Sequence, residues 1–269
     1  FFAVIGSSFF SLAFSIIISN EIILNKIETI LIAPFVEEIT KGIFLLITVT
    51  SRKFDNMTDG IVYGGAIGLG FGMTENFLYF STYGETVGDW VVLVVVRTLF
   101  TAVMHCVATA TFGAFLGYAK FKPILYKVTF PFIGLAIAMF IHAAWNLSVS
   151  FESTTFIGFT FLIASIIIFI LVFKLSVAKE KKMIFDELIE ESRLGILPEY
   201  HVYIIASNER NKSGWIEEEK RKSYLKAATT LAFRKMQLKG SHGFNKFYYQ
   251  NEVDYHRSII QNLLSSPIS

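Results

Sequence analysis

The sequence predicts an all-α, polytopic membrane helix bundle of about six transmembrane helices, followed by a soluble, mainly helical tail. Three observations predict it. First, 53% of the 269 residues are hydrophobic and 17% are charged, where a soluble domain carries roughly a quarter of charged residues. The mean hydropathy is +0.53. Second, six stretches approach the ~20 apolar residues that a helix needs to cross the hydrocarbon, at 1–19, 29–50, 60–83, 90–119, 128–150 and 156–177. Third, the composition changes at about 178, and residues 178–269 hold 15 Lys+Arg and 12 Asp+Glu. The expected domains are therefore a membrane domain, 1–177, and a cytoplasmic tail, 178–269.

The elements follow in order. The stretch 1–19 opens FFAVIG, without methionine, a basic flank or a small-residue cleavage site. It reads as a span and not a signal peptide, and the helix count is a minimum with room for more upstream. The span 29–50 contains Pro34, which has no N–H, frees a backbone carbonyl and is expected to kink the helix. In 60–83, Gly60, Gly64, Gly68 and Gly72 fall on every fourth residue, a face for close helix packing. The stretch 90–119 is too long for a simple span, so its VVLVVV start lies at the interface or the helix is tilted. In the tail, 215–238 has helical periodicity, and GILPEYHV at 195–202 breaks one helix from the next. The single cysteine, Cys106, excludes an intrachain disulfide and reads as a small buried hydrophobe.

Loop charges give an orientation. Arg52, Lys53, Lys120, Lys122, Lys127, Lys174, Lys179, Lys181 and Lys182 fall on one side of the expected spans. The other side has Lys26 alone, with Glu21, Glu28, Glu85, Asp89 and Glu152. This asymmetry places both termini in the cytoplasm. The lysines after 177 serve first as that signal and second as a contact to anionic lipid. A net charge of +2 is uninformative, and no nucleic-acid partner is expected. The partner that composition implies is the lipid bilayer.

A charge at the bilayer centre costs at least ~3 kcal/mol on insertion scales, so such residues are rare and usually functional. Here they are Glu37, Glu38 and Lys41 in 29–50, Glu75 and Asn76 in 60–83, Arg97 and His105 in 90–119, and His142 and Asn146 in 128–150. Glu37 lies eight residues after the outer end of its span, and Glu75 and His142 eight before theirs. At 1.5 Å per residue all three sit about 12 Å below the outer face, and His105 joins them if its span enters near Arg97. One layer of acids, imidazoles and amides from four helices implies one site. Glu37 and Lys41, at i and i+4, are expected to pair, with Glu38 turned about 100° away. His142 and Asn146 share a face, and Arg97, Thr101 and His105 form a stripe at steps of four. Glutamate with histidine is the usual means of activating a water molecule. The bland readings are a structural Glu37–Lys41 pair and histidines that only bond helix to helix. Among other classes, a proton-coupled transporter or channel would also use buried acids, though no internal repeat supports it. An inactive membrane scaffold could bind through the glycine face.

The ordered set EExxK (Glu37 to Lys41), FxxxEN (Phe71 to Asn76), Arg97 with His105, and HxxxN (His142 to Asn146) resembles the PrsW-type intramembrane proteases. These are related to the type II CAAX prenyl endopeptidases and the bacteriocin-immunity (CPBP) membrane proteins. The likeness covers about 29–150. It implies a metal-independent, glutamate-dependent endopeptidase in a bacterial cytoplasmic membrane, cutting a membrane-anchored protein of the anti-sigma-factor kind on the outer side. On that likeness Glu37 and His105 hold and deprotonate water, and His142 and Asn146 stabilise the oxyanion. Glu38 and Glu75 orient the histidines or the peptide, with Lys41, Asn76 and Arg97 in support. Lys41 stands where CAAX-type members have an arginine one residue later, which argues against a prenylated substrate. The HExxH, GxGD and GxSxG motifs of other membrane proteases are absent. No cofactor is expected on this scheme; the alternative chemistry is a zinc ion held by Glu38, Glu75, His105 and His142 with a water.

Overall fold

The computed structural model describes residues 20–265 together with Ala13, Ser15 and Ile18. The expected span 1–19 otherwise lies outside the described residues. Those residues are helical, with no strand among them, and the protein is an all-α membrane helix bundle with a helical tail.

The first rod joins α1 (Glu21–Ile27), a π-helical turn π1 (Glu28–Ile32) and α2 (Ala33–Val49). Asn20 caps it by accepting the amides of Ile22 and Ile23. The π turn traces to Pro34. The Ala33 amide bonds the Glu28 carbonyl, five residues back. In that register the Thr29 carbonyl would take the amide of residue 34, and proline has none. A buried carbonyl so freed needs another donor.

Next come α3 (Met57–Thr82), started by the Asn56 side chain on the amides of Thr58 and Asp59, and a second interrupted rod. That rod comprises α4 (Val87–Val96), the π turn π2 (Arg97–Thr101) and α5 (Ala102–Ala119). α6 (Ile124–Val149) and α7 (Thr155–Arg193) follow. Among the described residues, three helices are long and apolar enough to cross a membrane: Val87–Ala119, Ile124–Val149 and Glu152–Arg193. The expected spans 29–50 and 60–83 form helices but fall short of that composition. Glu37, Glu38 and Lys41 charge the first, and glycines with Glu75 and Asn76 dilute the second.

The sixth expected span does not stop at 177. The stretch that follows holds neither Gly nor Pro, so α7 continues to Arg193. It ends where Gly195 takes a positive φ of 75° and Pro198 caps α8 (Glu199–Ile205). The chain divides into two compact units at Phe173 and Lys174.

In the first unit the glycine stripe of α3 lies against α5. A Cβ at Gly68 would run into the His105 carbonyl, and one at Gly72 would come 2.9 Å from His105 Cδ2. These glycines set how closely the helix with Glu75 approaches the helix with His105. Apolar packing is completed by Leu45, Met104, Phe112, Ile141 and Trp145. Outward positions carry large apolar side chains such as Phe77, Val92, Phe132, Phe140 and Ile168, while Glu38, Lys41, His105 and His142 are buried. That inversion suits a lipid surround, which solvates hydrocarbon and excludes charge. Cys106 is half-buried and not fully buried as expected, because it lies beside Gly65, which offers no side chain to cover it.

The second unit packs the end of α7 with α8, α9 (Glu218–Lys239) and α10 (Gly243–Ser265). Ile184, Leu188, Val202, Tyr224, Leu231, Val253 and Ile260 form its core. Beside it Glu191, fully buried, takes Arg257 Nε at 2.7 Å and Lys235 Nζ at 2.8 Å. Burial alone would raise the Glu191 carboxyl pKa, but the bonds from Arg257 and Lys235 outweigh it and hold it below the usual carboxylate range.

Candidate active site

Four helices deliver one polar cluster to the interior of the first unit. α2 supplies Glu37, Glu38 and Lys41, α3 Glu75, α5 His105 and Thr109, and α6 His142. Lys41 is its centre. Its Nζ lies 2.6 Å from Glu38 Oε1 and 2.8 Å from His105 Nδ1, over the Phe71 ring at 4.3 Å. Glu37 Oε2 is farther away, at 3.7 Å. The expected Glu37–Lys41 pair is present as that longer ion pair, while the short bond belongs to Glu38. On a helix i,i+3 neighbours are as near as i,i+4 ones, and Glu38 faces α5 and α6. Glu38 also accepts from Thr109 Oγ1 at 3.2 Å and meets His142 Nδ1 at 3.0 Å.

The tautomers follow from the partners. An ammonium group only donates, so His105 Nδ1 accepts from Lys41 and Nε2–H donates to Glu75 Oε2 at 2.8 Å. A carboxylate only accepts, so His142 Nδ1–H donates to Glu38 and leaves Nε2 an acceptor. That Nε2 faces Glu37 Oε2 at 3.8 Å. Glu37 Oε2 is buried and has no hydrogen-bond partner among the described residues. Glu37 Oε2 and His142 Nε2 thus face each other across a buried gap with no hydrogen bond between them, which is a place for a donor or a cation. The two imidazoles stand nearly perpendicular, 4.6 Å between centroids.

Glu75 is steadied from behind. Arg97 NH2 lies 3.1 Å from Glu75 Oε1, while Arg97 Nε donates to Asn76 Oδ1 at 3.0 Å. The guanidinium stacks on Tyr79, 3.4 Å from the ring centre. Asn146 is not brought into the cluster. Its Nδ2 donates to the Thr29 carbonyl at 2.8 Å, the carbonyl that Pro34 leaves without a backbone donor, so the expected oxyanion role has no support in this arrangement. Sequence reasoning missed Thr109, Phe71 and Tyr79 as partners. The signal for Thr109 was present, because it continues the Arg97, Thr101, His105 stripe by four residues.

One donor atom each from Glu37, His105 and His142 lie within 4.8 Å of one another. With Glu37 Oε2 orphaned and His142 oriented by the Glu38 carboxylate, this set fits a divalent cation with a carboxylate-backed histidine. It differs from the expected zinc set. Glu38 and Glu75 hold the imidazoles from behind, where they orient ligands and do not themselves face the gap. His105 has partners on both nitrogens and would have to release one.

A family model described as "PrsW family intramembrane metalloprotease" matches residues 1–175. Protease PrsW of Bacillus subtilis (strain 168) is 32% identical over 113 residues, 42% of this chain and 49% of that protein. Protease PrsW of Shouchella clausii is 27% identical over 124 residues, 46% and 54% of the two chains. That of Oceanobacillus iheyensis is 29% identical over 139 residues, 51% and 61%. The chain thus spans about half the length of the curated relatives it matches. No solved structure matches.

Proposed function

Because the chain belongs to the PrsW family of intramembrane metalloproteases, we propose that it is a membrane-embedded endopeptidase that hydrolyses a peptide bond of a membrane-anchored protein. The observation that carries this is the pair of facing acceptors, Glu37 Oε2 and His142 Nε2, 3.8 Å apart in a buried cluster whose other main groups are paired. A water between them would donate one hydrogen bond to each acceptor, and on attack at a scissile carbonyl it would pass one proton to Glu37 and keep the other on its oxygen. Glu37 is the general base, because its Oε2 is a buried carboxylate oxygen with no hydrogen-bond partner among the described residues. A base so placed contributes roughly 10²–10⁴-fold. His105 and His142 border the gap. Glu38 and Glu75 fix their tautomers, while Lys41, Asn76 and Arg97 hold those two carboxylates in place.

The donor set of Glu37, His105 and His142 would also hold a divalent metal such as zinc. When bound, such an ion lowers the pKa of water and polarises a carbonyl. The same carboxylate and imidazoles then act as its ligands, and Glu38 sets the orientation of His142. The lysine-rich loops support both ends of this chain on the cytoplasmic side, which puts the site toward the outer face of a bacterial cytoplasmic membrane. The substrate class, a single-pass protein of the anti-sigma-factor kind, rests on the family resemblance.

Co-expression with tagged single-pass proteins tests the reading. Fragments mapped at their N-termini should appear with the wild-type chain and vanish with Glu37→Gln, at unchanged membrane level. Equal fragment yield from that variant would remove Glu37 from the reaction. Elemental analysis of the purified protein separates the two chemistries. About one equivalent of zinc, lost with His142→Ala together with activity, is the expected result for the metal form, and full activity in metal-free protein supports the glutamic form.

A further inference from the structure

The tail holds a cavity of about 530 Å³, formed wholly within residues 180–233 and so beyond the 1–175 stretch that the family model matches. Its wall carries four cations, Arg210, Arg221, Lys222 and Lys226, against one acid, Glu180. Elsewhere in the tail several cations are matched to acids. Lys182 meets Asp186, Lys212 meets Glu209, Lys235 and Lys239 meet Glu187 and Glu190, and Arg257 meets Glu191. Arg210, Lys222 and Lys226 form no ion pair among the described residues. Arg221 is held in place, its Nε donating to Glu218 Oε1 at 3.0 Å and its NH1 donating to the Asn211 carbonyl. Ile184 and Phe233 give the same cavity an apolar side.

We propose that this cavity binds a phosphorylated ligand with an apolar or ring moiety. Uncompensated cations around a concave, partly apolar wall repel one another, and an anion removes that repulsion. A phosphate monoester such as a nucleotide's terminal phosphate carries about two negative charges and several acceptor oxygens, and a phospholipid diester carries one, with oxygens that the same cations take. Arginine and lysine are the side chains that take phosphate oxygens. The volume falls within the roughly 300–1,000 Å³ range of small-molecule sites. The phosphate could be that of a soluble nucleotide or of a phospholipid headgroup, and the test distinguishes the two sources.

The full chain is placed in phosphatidylcholine nanodiscs and its lysines are acylated, with mass spectrometry following each site. One arm adds ATP, and the other replaces part of the lipid with phosphatidylglycerol. Selective slowing at Lys222 and Lys226, with exposed Lys246 unchanged, is expected in one arm. Slowing with ATP assigns a soluble ligand, and slowing with phosphatidylglycerol assigns a lipid. No slowing in either arm, or equal slowing at Lys246, overturns the proposal. As a second measurement, Lys222→Gln/Lys226→Gln should retain about tenfold less of the radiolabelled probe that protected the wild type. Undiminished retention would also overturn it.

Discussion

Glu191 in the tail and Glu37 in the membrane bundle are both carboxylates withdrawn from solvent, and their surroundings differ in one respect. Both oxygens of Glu191 are bonded, one to Arg257 Nε and the other to Arg257 NH2 and Lys235. Glu37 Oε2 faces Lys41 at 3.7 Å and His142 at 3.8 Å and has no hydrogen bond. Next to Glu37, Glu38 takes the short bonds that would have satisfied it. A buried charge with every lone pair occupied stabilises and orients a fold. One left without a bond is free to bind or react.

Several substitutions break or sharpen that contrast. The largest effect is expected from Glu37→Gln, a fall of roughly 10²–10⁴-fold in substrate cleavage with little change in folded amount. Next is Glu191→Gln, which should cost the tail about 3 kcal/mol, at the lower end for a broken buried pair, because Lys235 keeps Glu190 and Arg257 keeps Asp254. Hydrogen exchange of segments in α7, α9 and α10 reads that loss, and unchanged protection would mean the network is not what holds the tail. Acid should do the same to the wild type. The folded Glu191 pKa is depressed, so its contribution is complete above the ordinary carboxylate value and disappears as pH falls through the lower folded one.

Gly68→Ala comes third, at about 1–3 kcal/mol of overpacking, since its Cβ would meet the His105 carbonyl, whereas Gly70→Ala has open space. Thermal unfolding in detergent compares the two, and equal behaviour would show that α3 and α5 can move apart without loss. The smallest effect is expected for Asn146→Ala, about 1 kcal/mol for one hydrogen bond to the Thr29 carbonyl, with cleavage reduced far less than by Glu37→Gln. A loss of 10²–10³-fold in cleavage would instead give Asn146 an oxyanion role.

Much of the site was legible in the chain. The shared depth of Glu37, Glu75 and His142 follows from counting residues along helices, because rise per residue is fixed. The glycine stripe announced a close contact, and Pro34 announced a freed carbonyl. The end of α7 was not legible, because apolarity stops at the membrane edge whereas a helix stops only where its backbone is broken. Nor was the π turn before α2, which is one of two ways for the rod to absorb Pro34.

Sequence by itself determined which residues could share a layer, since periodicity and apolar length act within one helix. It determined which chemical groups a site could offer too, since carboxylates, imidazoles and amides are fixed by residue type. Tertiary structure alone decided which carboxylate was left without a bond. Lys41 reaches Glu37 and Glu38 almost equally along α2, and only the arrival of His105 from α5 and His142 from α6 drew it, and the hydrogen bonds, to Glu38. Such a choice depends on distances between helices, which no pattern along one helix encodes.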